Sequence, residues 1–340
     1  MKVVVPGGTG QVGRVLQRSL AAQGHEVVVL SRREGVVEPG ARLVRWTGRG
    51  PGAWCREVDG ADAVVNLAGR SVSCRYTDAH LRQMMRSRVD STRAVGAAVA
   101  AASRPPRVWL QMSTATIYAD RSDEPGNPAN DERSGVLGGE ESHVPLYWEY
   151  SVRIARRWEA AQQEADLPHT RRVALRTAMV MGPEQGGVFD VLSALARVGA
   201  GGPVAGGTQY VSWIHEADMV RAVDLLLARD DLAGPVNLAA PHALPQAELM
   251  RVLREAWGRR VGLPATAGMA AAGAWALRTD PELLLKSRRV SPGRLLDAGF
   301  ELAHPTWPDA ARDLVAHVVR RPEGVGLVGT LREMRRGTAA

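Results

Sequence analysis

Short apolar runs alternate with longer amphipathic ones through the first half of the chain. "KVVVPG" at the start is a continuous apolar run that predicts a buried strand. "VGRVLQRSLAAQG" spaces its apolar positions at helical intervals and closes at Gly24, and "EVVVLSR" reads as a second strand. "ARLVRW" and "ADAVVNLAG" predict strands three and four. A long helix follows over "DAHLRQMMRSRVDSTRAVGAAVAAA", and "RVWLQMSTATIY" returns to strand. A helix is expected over 146–165 and a further apolar strand over "RRVALRTAMVMG". Strands alternating with helices in this way predict an α/β fold, a parallel sheet covered by helices on both faces.

Two stretches break the rhythm. Residues 120–145 are rich in glycine, proline and acids, and predict a long surface loop beside the 146–165 helix. Beyond Gly182 the pattern loosens into the helix "VFDVLSALARVG", the glycine-rich "GGPVAGGTQYVSWIH", the helix "EADMVRAVDLLLAR" and the short strand "GPVNLAA". The expected organisation is a sheet domain over 1–182, with 213–239 returning to it. Segments 183–212 and 240–318 would form a smaller substrate-binding region, and 319–340 a poorly ordered tail.

Composition narrows the classes. A chain of 340 residues with 45% hydrophobic and 23% charged residues is ordinary for a soluble globular protein. "MKVVVPGG" lacks a signal-peptide layout, and the longest small-apolar stretch, 264–277, is too short to span a bilayer, so a cytoplasmic protein without membrane contact is expected. Cys55 and Cys74 have no partners at ligand spacing, which predicts free thiols and no metal site. The formal charge is +7, but the arginines are scattered, which argues against nucleic acid and leaves room for an anionic small molecule. The only lysines are Lys2 and Lys286.

The first candidate chemistry is "VVVPGGTGQVGRVL", where Gly7, Gly10 and Gly13 fall between a strand and a helix, with Thr9, Gln11 and Val12 among them. Gly7 permits the turn, Gly10 lets a pyrophosphate approach, and Gly13 lets helix and strand pack. The helix start then offers free N–H groups and a partial positive charge to phosphates. The second strand ends in Ser31, Arg32 and Arg33 instead of a carboxylate. Arginine pairs with a ribose 2′-phosphate, so NADP(H) is the expected cofactor, with Arg32 on the phosphate and Arg33 in solvent.

The ordered set "GGTGQVG" (7–13), "GADAVVNLAGRSV" (60–72), "SRVDSTRAV" (87–95), "STATIYAD" (113–120), "RRWEAA" (156–161), "LRTAMVMGP" (175–183) and "LLLKSRRVSPGRLLDAGFELAHPTW" (283–307) resembles one family. It is that of the extended short-chain dehydrogenases/reductases, the NAD-dependent epimerase/dehydratase superfamily. Within it, the chain is most similar to epimerase-family proteins with a C-terminal DUF1731-type region. The resemblance implies a Rossmann-type doubly wound parallel sheet, bound NADP(H) and a smaller C-terminal substrate-binding region. It assigns Asn66, Leu67, Ala68 and Gly69 to the adenine-ribose side and Arg88 to the cofactor. Arg176 and Thr177 go to the nicotinamide border, and Thr114 and Tyr150 to the catalytic positions. Helices that pair two copies are common in the superfamily, so a homodimer is one assembly the resemblance allows, and the sequence does not fix the oligomeric state.

One part is missing. The superfamily's Tyr-x-x-x-Lys would put a lysine four residues after Tyr150, and this chain has Ile154. That lysine ordinarily lowers the tyrosine's pKa and holds the nicotinamide ribose. A tyrosine alone titrates near pKa ~10 and is a poor base at neutral pH, though it and Thr114 could still donate to an oxyanion. Arg153 could lend charge from the side but cannot shuttle a proton. Trp158 reads as core, Glu149 and His143 as outlying candidates, and His215 and Asp218 as substrate-side or helix-start residues. The expected activity is an NADP(H)-dependent oxidoreductase or epimerase acting on a small polar metabolite, neutral or anionic. A non-catalytic NADP(H) sensor and non-redox chemistry in the same pocket are the alternatives.

Overall fold

The computed structural model describes residues 1–276 and 280–320. Seven strands form the main sheet: β1 (Lys2–Pro6), β2 (Glu26–Ser31), β3 (Ala41–Arg45), β4 (Ala63–Asn66), β5 (Val108–Thr114), β6 (Arg171–Thr177) and, after three short strands, β10 (Gly234–Leu238). Their order is β10-β6-β5-β4-β1-β2-β3, and every pairing is parallel. The chain therefore starts mid-sheet, winds outward to β3, then crosses to β4 and winds the other way. That reversal between β1 and β4 opens a crevice at the carboxyl ends of the strands, the usual ligand position in such sheets. The α/β, doubly wound parallel sheet expected from the sequence is the fold observed.

The strands are buried on both faces, which is why they read as unbroken apolar runs. One face packs against α1 (Gln11–Ala22) and α6 (Glu216–Ala228) through Val3, Val5, Leu16, Leu20, Val223 and Leu226. The other carries Val4, Val28, Val64 and Trp109 against α3 (Asp78–Ala100), helped by Trp54 just before the short α2 (Cys55–Val58). Fully burying one such side chain contributes about 1.5–3 kcal/mol. Helix α4 (Glu149–Gln163) lies beside α3 and over β5.

A second core gathers Phe189, Trp213, Leu249, Leu253, Trp307 and Leu314. It is built from α5 (Val188–Arg197), α7 (Gln246–Ala256) and α11 (Trp307–Val319). Around it run the short pairs β7 (Met179–Met181) with β9 (Trp213–His215), and β8 (Tyr210–Val211) with β11 (Leu244–Pro245). Three more helices, α8 (Ala267–Ala276), α9 (Glu282–Leu285) and α10 (Gly293–Asp297), complete the described chain. Residues 321–340, most of the expected tail, lie outside the described residues. The 120–145 segment forms no helix or strand, and it is pinned: the Glu141 carboxylate accepts from the backbone N–H of Asp120, Gly139 and Glu140.

The tightest joint is at the start of α1. A Cβ on Gly13 would lie 2.0 Å from the Gly8 carbonyl oxygen, which neither neighbour can yield without moving backbone. Gly13→Ala is therefore expected to cost about 1–3 kcal/mol in urea unfolding. An unchanged midpoint would show that this joint has slack.

Candidate active site

Strand β1 runs into a turn in which Gly7 has φ 75° and touches the chain after β4. A Cβ there would fall 2.6 Å from the Ala68 Cα, so only glycine fits on both counts. Gly10, the residue before α1, is different: it is extended, and an added Cβ would meet only the Gly7 carbonyl at 3.9 Å. No side chain caps α1, so its first N–H groups remain for a ligand. Gln11 adds a buried Nε2 that has no partner among the described residues. Beneath the turn, buried Gln17 donates to the Gly8 carbonyl at 2.8 Å and accepts from the Glu38 N–H at 3.0 Å.

A cleft of about 690 Å³ opens from this turn. Gly7, Gly10, Gln11, Val12, Gly13, Leu67, Arg88, Thr114 and Thr177 line it, so much of the expected set converges on one space. The other expected residues stand outside that lining. Asn66 is fully buried and shapes the turn, its Oδ1 accepting from the Ala68 N–H at 3.1 Å. Ala68 is the backbone against Gly7, and Gly69 leaves room for Arg88, whose Cζ would be 3.2 Å from a Cβ. Thr9 is half-buried in the turn. Ser31 accepts from the Arg33 N–H at 3.2 Å, and Arg32 is exposed at the end of β2 alongside Gly48.

Strand alternation divides the β6 pair. Thr177 stands beside Thr114 in the β5–β6 register and faces the cleft. Arg176 departs from its expected cofactor role because it points the other way. Its Nε and Nη2 donate to Glu159 at 2.9 and 2.8 Å, and its Nη1 donates to the Tyr118 hydroxyl at 3.0 Å. Tyr118 in turn donates to Asn237 Oδ1 at 2.9 Å. Burial opposes the Arg176 charge, yet the Glu159 hydrogen bonds outweigh it and hold the guanidinium above its ordinary range.

Helix α4 departs from expectation at Tyr150, while Ile154, at the position of the missing lysine, does face the cleft. Ile154 and Trp158, one turn apart, line the cleft, and so does Ser151. Tyr150 does not: it packs with Ile154 and Cys74 at the rim, and the Arg153 guanidinium lies 4.4 Å over its ring. The expected catalytic tyrosine is thus held in an aromatic–cation stack, and Trp158, read as plain core, forms cleft wall. His143 pairs with Asp123 at 3.1 Å in the loop.

Another part of the cleft comes from the segment expected to be substrate-binding, through residues that the sequence did not single out. Glu282, Leu283 and Arg288 line it, together with Tyr76 and Thr116. The Ser151 hydroxyl lies 2.5 Å from Glu282 Oε1, Arg288 Nη2 is 3.4 Å from the same oxygen, and Arg288 Nε donates to Thr116 at 3.1 Å. Burial raises the Glu282 carboxyl against the pull of Arg288. Lys286, behind this pair at 3.9 Å from Glu282, is brought from 10.5 down to about 8 by burial, reinforced by Arg288. The sequence offered the family-bearing block 283–307 but nothing that marked Glu282 or Arg288 within or beside it.

His215 and Asp218 lie away from the cleft. His215 caps α6, its Nδ1 accepting from the Ala217 N–H at 3.1 Å, while buried Asp218 accepts from the Ala303 and His304 N–H groups. Among the described residues, His215, His304 and Asp313 bring ligand-type atoms within 4.8 Å of one another, a grouping that their separation in sequence hides. Burial, with His304 stacked beside it, brings His215 down to about 4.

With this geometry in place, comparison with known families is decisive. The model of the NAD dependent epimerase/dehydratase family matches residues 3–239. The chain belongs to that family. A DUF1731 model, a domain of unknown function, matches residues 269–314, which include Glu282 and Arg288. Epimerase family protein SDR39U1 of Homo sapiens is 30% identical over 323 residues, covering 93% of this chain and all of the relative. Epimerase family protein Mb2239 of Mycobacterium bovis is 30% identical over 311 residues, 91% of this chain and 95% of the relative. The crystal structure of human SDR39U1 with NADPH superposes with a TM-score of 0.77 at 27% identity, covering 93% of this chain and 99% of that one. Among the described residues of this epimerase-family chain, no helix is long and apolar enough to cross a membrane.

Two outcomes follow from the electrostatics. Arg176→Met should cost about 3 kcal/mol in urea unfolding, because it strands the Glu159 charge, and adding Glu159→Leu should recover most of it. No loss in the single variant would show the pair to be idle. For Lys286, folded and unfolded chains both hold the proton below about pH 8. Between there and its ordinary 10.5 only the unfolded chain does, so stability rises with pH. The wild type is expected to gain up to about 3 kcal/mol on Lys286→Met across that window, and parallel curves would contradict the burial described.

Proposed function

We propose that the chain is an NADP(H)-dependent oxidoreductase or epimerase that acts on a small polar metabolite. The observation that carries this reading is the cleft itself. One end is a bare glycine turn at an uncapped helix start, open at Gly10, and the other is walled by Thr114, Thr116, Ser151 and Tyr76. The human relative crystallised with NADPH supports the cofactor.

The residues present fit the dinucleotide. The N–H groups of Gln11, Val12 and Gly13 and the Gln11 Nε2, without a partner among the described residues, would take the pyrophosphate. Ser31 and exposed Arg32 would take the 2′-phosphate, with Asn66, Leu67, Ala68 and Gly69 shaping the ribose wall and Thr177 the nicotinamide end. When bound, NADP(H) supplies the hydride chemistry. The chain's own part is to orient and polarise. Thr114 Oγ1 already accepts from the Thr116 N–H at 3.2 Å, which leaves its own O–H to donate to a carbonyl or imine in the cleft. Segments 183–212 and 240–318 are assigned the substrate end, since Glu282 and Arg288 stand there. A regulator that binds NADP(H) without turnover is the second reading, favoured by Ile154 and by the displacement of Tyr150 from the cleft wall.

Because a Gly10 side chain meets cleft and not protein, Gly10→Val should fold with a native unfolding midpoint and lose at least tenfold in NADPH affinity. Native affinity in that variant would remove the pyrophosphate from this turn. Arg32→Ala is expected to lower the preference for NADPH over NADH about tenfold, and an unchanged ratio would move the phosphate elsewhere. Incubating the protein with stereospecifically deuterated NADPH and cell extract separates the activities. Label in a product means a reductase, a changed metabolite without label an epimerase, and neither outcome the regulator.

A further inference from the structure

Arg88, which the resemblance assigns to the cofactor without a stated task, has no part in the reading above. It emerges from α3, is 9% exposed, and lines the cleft with its guanidinium 4.8 Å over the ring of Trp158. One turn earlier on α3, Met84 packs against Ile154, and Trp158 is one turn along α4 from Ile154. The guanidinium therefore occupies the same wall as residue 154, displaced by about one helical turn, roughly 5.4 Å.

Its partners are few. Nη1 donates to the Arg70 carbonyl at 3.0 Å and to the Met84 carbonyl at 3.3 Å, and among the described residues no carboxylate pairs with it. The contrast with Arg176 is direct, since that buried arginine has Glu159 and Tyr118. Burial without an acid brings Arg88 down to about 10. A desolvated, uncompensated charge costs several kcal/mol, more than stacking on tryptophan returns at about 0.5–2 kcal/mol. Gly69 makes the space for it, because a Cβ there would press on the guanidinium. Such an arrangement is costly for the empty fold and becomes favourable only with a polar or anionic occupant in the cleft.

We propose that Arg88 stands in for the missing lysine: it is the fixed cation and hydrogen-bond donor that this cleft offers to the bound dinucleotide from the α3 side. The inference rests on NADP(H) occupying the cleft. It gives Arg88 the holding half of the lysine's work and not the proton-passing half, because a guanidinium keeps its proton at neutral pH. The substrate's proton must then come from a hydroxyl or carboxyl of the cleft wall and not from a tyrosine–ammonium pair.

Titration of the full chain with NADPH, followed by nucleotide fluorescence, tests it together with unfolding of the nucleotide-free protein. Arg88→Met is expected to weaken NADPH at least tenfold while leaving the nucleotide-free protein as stable as the wild type or more so. A merely structural arginine would instead give lower stability with native affinity, and that result overturns the proposal. Adding Ile154→Lys to Arg88→Met restores a cation on the same wall and should recover most of the affinity; no recovery would show that the arginine's place is not the lysine's. Should Arg88→Met bind like wild type, the inference falls and the dinucleotide reading stands. Should the wild type itself bind no NADPH, both fall.

Discussion

Backbone touching backbone at the first turn is the constraint on which the rest depends. Gly7 meets Ala68 and Gly13 meets the Gly8 carbonyl at distances that leave no room for a side chain. These two contacts draw β1, α1 and the end of β4 together where the winding of the sheet reverses. Gly10, between them, is held with its bare face outward. The same packing therefore builds the fold and exposes an uncapped helix start to the cleft, so the site is a consequence of the sheet and not an addition to it.

The cleft's electrostatics come from how neighbours treat identical residues. Arg176 and Arg88 are both buried, yet one is locked to Glu159, Tyr118 and, through Tyr118, Asn237, while the other faces the cleft with only carbonyls and an indole. The first holds β6 to α4; the second leaves positive charge where a ligand would come. Elsewhere in the lining Glu282, Arg288 and Ser151 form a polar group tied to the Thr116 hydroxyl. The cleft is thus cationic at α3 and mixed at α9, a division suited to a phosphate-bearing cofactor beside a small polar molecule.

The alternation of apolar runs and amphipathic helices made the parallel sheet legible, because parallel strands buried on both faces carry no competing polar period. Gly7, Gly10 and Gly13 were legible for the same reason: their spacing has meaning only between a strand and a helix, and both neighbours were clear. Side-chain direction was harder. Arg176 and Thr177 were assigned together, although adjacent strand residues face opposite ways. Tyr150 was placed by motif spacing, and Ile154 at the lysine's position does line the cleft, but Ser151, about 100° around the helix, lines it where Tyr150 was expected. Glu282 was out of reach altogether, since its contact with Ser151 spans 131 positions and no local pattern encodes it.

Under the function proposed above, a dinucleotide rests on the open turn and is gripped by Arg88 in place of a lysine. A crystal structure of this chain grown with NADPH tests that most directly. The expected result is the pyrophosphate against the N–H groups after Gly10 and the Arg88 guanidinium within hydrogen-bonding distance of the nucleotide. Nucleotide bound elsewhere, or Arg88 turned from it toward protein carbonyls alone, would contradict it.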